Sequence, residues 1–474
     1  MSHYLNFIGQ TFVDTPHGHR FSVTNPATGQ PGASVVEASE QQVLEAVDKA
    51  HAAQRSWKKT PSAQRAVHME ALAQLLVQRA GLIGQALALE SGKSLEDATN
   101  ETMYAAEILR FHAQWARRVE GEIIPSDSPD ENLLLYREPM GVVACLIPFN
   151  YPVYTLLRKI APALITGNAV LVRPSNNTPT SALEIARCVQ DSGFPGNLIQ
   201  IMVMSHASAQ RMCMHPKVAM MTLTGSVQAG QKVIGYSRAN IAKVSLELGG
   251  KTPVIVEPDA DLDAVALAIV NAKLTHCGQL CTAPERVYAH TSIHDAIVQK
   301  LHAAMLAKTH GDRATNASFV GPLVSASARA NIHAMVQRAV AAGAHVLCGG
   351  TIPEGPGYFY PPTLLTHCEQ HSEIVQEELF GPVLPVLRYT HLDQALEWAN
   401  DHQFGLSSVL FTSDLRKAMH VANGIESGEL YINRMPADPY QGYHAGWKRS
   451  GLGGDDGKHG MLEFTQTRLV VMKY

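Results

Sequence analysis

No stretch of this sequence approaches the uninterrupted apolar length that a bilayer-spanning helix needs, and its start, MSHYLNFIGQ, has neither a basic segment nor an apolar run. A membrane span and a secretory leader are both unsupported, so the cytoplasm is the expected compartment. Cysteine is sparse. Cys145, Cys188, Cys213, Cys277, Cys281, Cys348 and Cys368 are odd in number, scattered and mostly inside apolar stretches, which reads as reduced thiols rather than a disulfide framework. An excess of one charge is also lacking. With 38 Lys and Arg against 42 Asp and Glu, a formal charge of -4 and a pI near 6.6, there is no basic footprint for nucleic acid or an anionic membrane surface. Low-complexity tracts and long like-charge runs are missing too, which excludes a disordered or fibrous chain.

What is present is a chain of 474 residues, 46% hydrophobic and 17% charged, too long for one compact core. At least two domains are expected. After two short strand-like pieces, residues 40–120 carry helical patterns, with Val67, Leu72, Leu75, Leu76 and Val77 at helix-like intervals. From Gly141 the texture changes to short apolar runs between helices: GVVACLI (141–147), NAVLVRP (168–174), LIQIMVM (198–204) and VAMMTLTG (218–225). That alternation predicts a parallel, doubly wound sheet. A second alternation follows, with strands expected at ERVYAH (285–290), VLPVLRY (383–389), SSVLFT (407–412) and GELYIN (428–433), and a helix over 325–342. Residues 120–141 read as a polar-tipped hairpin and LEFTQTRLVVMKY as a final strand, neither able to satisfy its own edge, which points to pairing with another subunit.

Open parallel sheets bind ligands beyond the carboxyl ends of their strands, so the turn LTGSVQAGQK is a candidate site. Gly225 permits a tight turn, and Ser226 can cap the next helix, whose free amides and positive dipole end attract phosphate. It is not GxGxxG, and Gln231 stands where a phosphate loop needs lysine, so for the isolated motif an ordinary helix start is the stronger reading. Cys281 follows Gly278 and Gln279 at the end of an apolar helical pattern; it fits a nucleophile or a small core residue. Glu247 ends an apolar run just before paired glycines, where it can serve as a base, cap a helix or meet an arginine. Asn150, between two prolines in IPFNYP, can aim its amide at an oxyanion or simply form a turn. His276, Cys277 and Cys281 lack the spacing of a metal site, with no CxxC or HExxH nearby, so no metal is expected.

Taken together, IPFNYP, SLELGGKTP, HCGQLCTAP and EELFGPV (377–383) resemble the aldehyde dehydrogenase superfamily, in order and with 34 residues (281 minus 247) between Glu247 and Cys281. The resemblance covers nearly the whole chain. It implies an α/β fold of two doubly wound domains plus a β-hairpin oligomerisation element. Residues 1–117 and 139–247 would form the dinucleotide-binding domain, 248–440 the catalytic domain, and 118–138 with 456–474 the oligomerisation element of a homodimer or homotetramer. It further implies that Cys281 attacks the aldehyde, that Asn150 and the Cys281 amide hold the oxyanion, and that Glu247 activates the water that hydrolyses the thioester. Cofactor contacts are implied for Ile147, Pro148, Phe149, Arg173, Ser175, Asn176, Gly225, Ser226, Leu248, Glu378 and Phe380. Asn176 and Arg173 stand where the family commonly has a glutamate and a lysine, which removes a repulsion toward a 2′-phosphate. NADP is therefore expected to be accepted alongside NAD.

WARRVEGEIIPSD, LLRKIAPALITGN and GYHAGWKRSGLGG resemble the bacterial lactaldehyde and glycolaldehyde dehydrogenases within that superfamily. This implies that Arg158 and His444 contact the polar end of a short hydroxyaldehyde, with Thr282, in place of the usual asparagine, beside it. Arg158 would also suit an acidic aldehyde such as succinate semialdehyde, through a bidentate contact, or merely close a salt bridge between helices. Two further alternatives are a catalytically silent structural member of the fold, against which the retained Cys281, Glu247 and Asn150 argue, and a coenzyme-A-acylating enzyme, against which Glu247 argues.

Overall fold

The computed structural model describes residues 2–474, and its two hydrophobic cores follow the two strand-helix alternations of the sequence. Each alternation builds one sheet. In the first, Lys243–Glu247, Val218–Thr224, Val142–Leu146, Ala169–Arg173 and Ile199–Ile201 lie side by side in that spatial order, all parallel. They are buried on both faces because helices cover both, which is why they read as unbroken apolar runs. The second sheet orders Thr363–Thr366, Val383–Tyr389, Arg286–His290, Pro253–Val256, Ser407–Phe411 and Glu429–Ile432, again all parallel. The fold is thus the α/β architecture that the alternation predicts.

Three of the four sheet edges are antiparallel, which the apolar runs did not signal. Asn6–Ile8 and Thr11–Val13 close one side of the first sheet, Gly451–Leu452 closes the other, and His345–Cys348 edges the second sheet. Residues 40–120 form four helices, Glu40–Trp57, Ser62–Gln78, Ala80–Ser91 and Leu95–Ala113. The buried face of the second is Met69, Leu72, Ala73 and Leu76; Val67, expected on that face, is 67% exposed. Among the described residues no single helix is long and apolar enough to cross a membrane. The bent pair Ser62–Gln78 and Ala80–Ser91 instead gives Leu72, Leu76, Ile83 and Leu87 to the first core.

The strand order of the first sheet decides where ligands go. From Val142–Leu146 the chain winds outward through Ala169–Arg173 to Ile199–Ile201, then returns to the other side with Val218–Thr224 and Lys243–Glu247. The crevice between Val142–Leu146 and Val218–Thr224 is therefore the topological switch point, where carboxyl-end loops splay apart. Those loops carry Ile147–Asn150 and Gly225–Ser226.

Strands Glu122–Ile124 and Glu131–Pro139 form a hairpin, and Thr465–Lys473 pairs antiparallel along the length of the latter. The expected start of this arm at residue 456 needs correction. Helix Gly457–Glu463 packs against helix Pro152–Ile165, and Met461 and Phe464 are buried in the first core; only the last strand belongs to the arm.

Candidate active site

Five of the predicted residues line one cavity of about 770 Å³: Asn150, Arg158, Cys281, Thr282 and His444. Cys281 sits on a strained loop. His276 (φ 45°), Cys277 (φ 57°) and Gly278 (φ 75°) are left-handed in succession, each non-glycine member at a cost on the order of 1–3 kcal/mol. Gln279 locks the loop by accepting from Val324 N at 2.9 Å and donating to the His276 carbonyl at 3.0 Å. Asn150 donates one amide hydrogen to the Gln279 carbonyl at 2.9 Å, which orients the amide beside the cysteine and leaves its second hydrogen for another acceptor.

Glu247 ends its strand 2% exposed, and neither carboxylate oxygen has a hydrogen-bond partner. Burial pushes its pKa up to about 8, while His444 pulls it down. Nε2 of His444 is 3.4 Å from a Glu247 oxygen, and Nδ1 bonds Glu429 at 2.9 Å with Asp438 at 3.6 Å. Burial alone would depress this imidazolium. Asp438, Glu429 and Glu247 outweigh it and hold the pKa well above the ordinary histidine range. Burial remains the largest influence on the Glu247 carboxyl and leaves it raised despite that imidazolium. The same imidazolium draws down the Cys281 thiol, which burial raises.

Arg158 is 6% exposed on helix Pro152–Ile165. Its Nε donates to Asp456 Oδ1 at 3.0 Å, its Nη2 to Oδ2, and its Nη1 lies 3.5 Å from Asp438. Asp456 thus occupies the fork that a substrate carboxylate would use, and Arg158 closes a salt bridge as one of the alternative readings has it. Neighbouring Lys159 bonds Asp455 and Thr222, both at 2.9 Å. Asp438, Asp455, Asp456 and Glu429 escaped the sequence reading, although two adjacent carboxylates in the glycine-rich GGDDG are a usable signal of buried pairing.

A second cavity, of about 330 Å³, is lined by Ile147, Pro148, Phe149, Arg173, Ser175 and Ser226, and Thr224 lines both cavities, so the two meet there. Ser226 caps helix Val227–Ser237 by accepting from Ala229 N, and the remaining first-turn amides can receive an anion. Phe380, at φ 49°, meets Phe149 edge-on with ring centres 5.9 Å apart. Glu378 accepts from Gly250 N at 2.9 Å, and burial raises its pKa to about 7. A Cβ at Gly249 would stand 2.3 Å from Glu378, so the absence of a side chain at Gly249 makes room for that carboxylate. Gly225 and Leu248 hold backbone instead, donating to the Glu247 and Ser450 carbonyls. Asn176 accepts from Arg173 Nη2 at 3.1 Å and donates to Glu37 at 3.3 Å, so a carboxylate is present near this position after all, supplied from residue 37.

A nucleophile, an oriented amide, a buried base and a phosphate-accepting helix end thus meet at one switch point, and the match to the aldehyde dehydrogenase family over residues 12–470 decides their meaning. The chain belongs to the aldehyde dehydrogenase family. It is 41% identical over 472 residues to lactaldehyde dehydrogenase of Escherichia coli strain K12, covering 99% of this chain and 97% of that one. The crystal structure of that enzyme superposes with a TM-score of 0.98 at 40% identity, with all of both chains covered. An NADP-dependent succinate-semialdehyde dehydrogenase of Schizosaccharomyces pombe is 33% identical, covering 100% of this chain and 97% of its own. This aldehyde dehydrogenase uses a nicotinamide dinucleotide, NAD or NADP, and the second cavity fits one: the buried Arg173 Nε has no partner there, and the capped helix end faces it.

Proposed function

We propose that this aldehyde dehydrogenase oxidises a short neutral hydroxyaldehyde, lactaldehyde or glycolaldehyde, to its carboxylate. The observation that carries this reading is the Arg158 ion pair beside Cys281. With its fork on Asp456, Arg158 offers Nη1, and Asp438 and His444 stand next to it. A hydroxyl both donates and accepts, so it matches such a pair. A substrate carboxylate would face Asp438 with the Arg158 guanidinium already paired to Asp456, which disfavours succinate semialdehyde.

In this mechanism the Cys281 thiolate adds to the aldehyde carbon, and the Asn150 amide with the Cys281 backbone N–H holds the oxyanion of the thiohemiacetal. When bound, the nicotinamide ring accepts the hydride that leaves this carbon. Cys281 then carries a thioester. Glu247 takes a proton from water, the hydroxide adds to the thioester carbon, and the thiolate departs with release of the carboxylate. Phe149, Phe380, Glu378 and Leu248 would hold the nicotinamide side of the dinucleotide, and Ile147, Pro148, Ser175, Gly225 and Ser226 would hold its adenosine and phosphate side. Thr282 shapes the cavity beside the nucleophile.

The first core, with residues 1–117 and 139–247, would hold the dinucleotide, and 248–440 would present the nucleophile. The arm strand Thr465–Lys473 exposes Leu469, Val471 and Met472, which supports pairing with a second copy as a homodimer or homotetramer. We place the enzyme in the cytoplasm on its unpaired cysteines.

The test is initial rates of NAD(P)H formation with L-lactaldehyde, glycolaldehyde, succinate semialdehyde and propanal, each with NAD and NADP, beside Cys281→Ala. Highest kcat/KM for the hydroxyaldehydes is expected. Preference for succinate semialdehyde would keep the chemistry and reject the substrate, and an acyl-thioester product with coenzyme A would reject hydrolysis.

A further inference from the structure

Glu285 is a buried carboxylate that the mechanism does not use, four residues beyond the nucleophile (285 minus 281) and held between two buried ammonium groups. Lys273 Nζ donates to its Oε1 at 2.8 Å and Lys251 Nζ to its Oε2 at 3.0 Å. Oε2 also accepts from the backbone N of Leu379 at 2.9 Å. Each partner belongs to a different segment of the active site. Lys251 follows Gly250 at the end of the stretch that begins at Glu247. Lys273 stands in the last turn of helix Leu262–Leu274, just before the nucleophile loop, and Leu379 lies between Glu378 and Phe380.

The segments also touch directly. A Cβ at Gly278 would stand 2.3 Å from the Gly381 carbonyl and 3.0 Å from that of Lys273, and Lys251 gives a further hydrogen bond to the Ile374 carbonyl at 3.0 Å. The nucleophile loop thus leans on the loop of Glu378 and Phe380, and Glu285 ties the two together. Burial would raise the Glu285 carboxyl, but Lys273 and Lys251 overcome it and hold the group low, so it keeps its charge. Folding alone does not ask for such a cluster. Taking charges out of water offsets much of their attraction, and apolar residues of equal volume often serve as well. What the fixed hydrogen bonds supply is a set distance between the segments they join.

We propose that Glu285 is a positioning residue: through Lys273, Lys251 and the Leu379 amide it sets the nicotinamide side of the dinucleotide site against Cys281, and so fixes the distance over which hydride leaves the substrate carbon. The proposal rests on the reading of Cys281 as the nucleophile and of Glu378 and Phe380 as nicotinamide-side contacts. Glu285 itself lines neither cavity, so it acts only through the segments it joins.

The experiment is a single turnover of the full-length protein, with enzyme in excess over the aldehyde that wild type prefers and the dinucleotide saturating, in wild type, Glu285→Gln and Lys273→Met. Glu285→Gln should slow NAD(P)H formation about 10²-fold, the cost of a misplacement near 1 Å. The primary isotope effect from deuterium on the aldehyde carbon should be at least as large as in wild type. Lys273→Met leaves Glu285 paired with Lys251 and Leu379 and removes the second ammonium, so it should fold whatever Glu285→Gln does and slow the same step by less. Two readouts stand apart from turnover. By titration calorimetry Glu285→Gln should weaken NAD and NADP about tenfold, the worth of one hydrogen bond to a charged group, and leave 5′-AMP, which lacks the nicotinamide half, unchanged. Alkylation of Cys281 without dinucleotide should keep its wild-type rate. A folded variant that has lost stability but turns over at the wild-type rate overturns the positioning role. So does a slowed rate with a smaller isotope effect, because the slowed step is then not hydride transfer. Absence of NAD(P)H from a single turnover of wild type would instead bring down the reading of Cys281 and of the dinucleotide site.

Discussion

Nε2 of His444 lies 3.4 Å from Oε2 of Glu247, on the imidazole that also faces the Cys281 thiol. One imidazolium therefore touches both the nucleophile and the base, and Asp438 and Glu429 keep it charged. Its effect on the thiol has a definite sign. Burial raises the Cys281 pKa and His444 lowers it, so removing the charge leaves less thiolate at a given pH. His444→Gln should slow alkylation of Cys281 by iodoacetamide at neutral pH and shift the rate's pH midpoint upward. An unchanged midpoint would mean that His444 acts on substrate alone.

Glu247 predicts a pH profile. Its folded pKa is raised to about 8 by burial, so the carboxylate that takes a proton from water is the minor form at pH 7 and grows as pH rises. Turnover limited by thioester hydrolysis should therefore rise through about pH 8 and level above it. Glu247→Gln should release one burst of NAD(P)H per site and then turn over on the order of 10²–10⁴-fold more slowly, with that rise abolished. Rapid-mixing absorbance over a pH series checks both. A wild-type rate flat from pH 6 to about 9 would reject Glu247 as the base.

The strands that build the two sheets are visible in the chain because parallel strands buried on both faces need unbroken apolar runs, as in Val142–Leu146 and Ala169–Arg173. The antiparallel edges are not, since Gly451–Leu452 is two residues long and pairs across a distance no local pattern encodes. The same division holds in the site. Cys281, Glu247 and Asn150 sit in motifs where chemistry dictates their neighbours. Asp438, Glu429 and Asp456 matter only because folding carries them, from separate places in the chain, to Arg158 and His444. Glu37 approaches Asn176 from 139 residues away, beyond any local reading.

Arg158 and Asp456 should be energetically coupled. Asp456 has φ 69° and ψ 165°, a region costly for any residue but glycine, and its carboxylate is fully buried on Arg158. Arg158→Met leaves that charge unpaired, so a loss of about 3–5 kcal/mol in unfolding free energy is expected. Asp456→Asn in the Arg158→Met background should restore part of it, by removing the orphaned charge. Among folded variants, KM should rise for lactaldehyde and glycolaldehyde and stay near wild type for propanal. Denaturant titration and steady-state kinetics on the two single variants and the double variant check this, and strictly additive stability losses would deny the coupling.

Gly250 controls where the nucleophile stands. An added Cβ would lie 2.5 Å from the Cys281 carbonyl and 3.2 Å from Leu406 Cβ, and the first of these is backbone. That carbonyl has little freedom, because three left-handed residues and the Gln279 hydrogen bonds hold the loop from the other side. Gly250→Ala must therefore displace Cys281 relative to Asn150, and a displacement near 1 Å at a reacting group costs about 10²-fold in rate. We expect kcat/KM to fall by about that factor, with a stability loss of about 1–3 kcal/mol from overpacking. Gly235→Ala is the matched control. It lies inside a helix with nothing within 4 Å of the new Cβ, so it should leave activity unchanged and raise stability by about 0.5–1 kcal/mol. Wild-type kcat/KM in Gly250→Ala would show that the loop yields and that the paired glycines serve only Glu378.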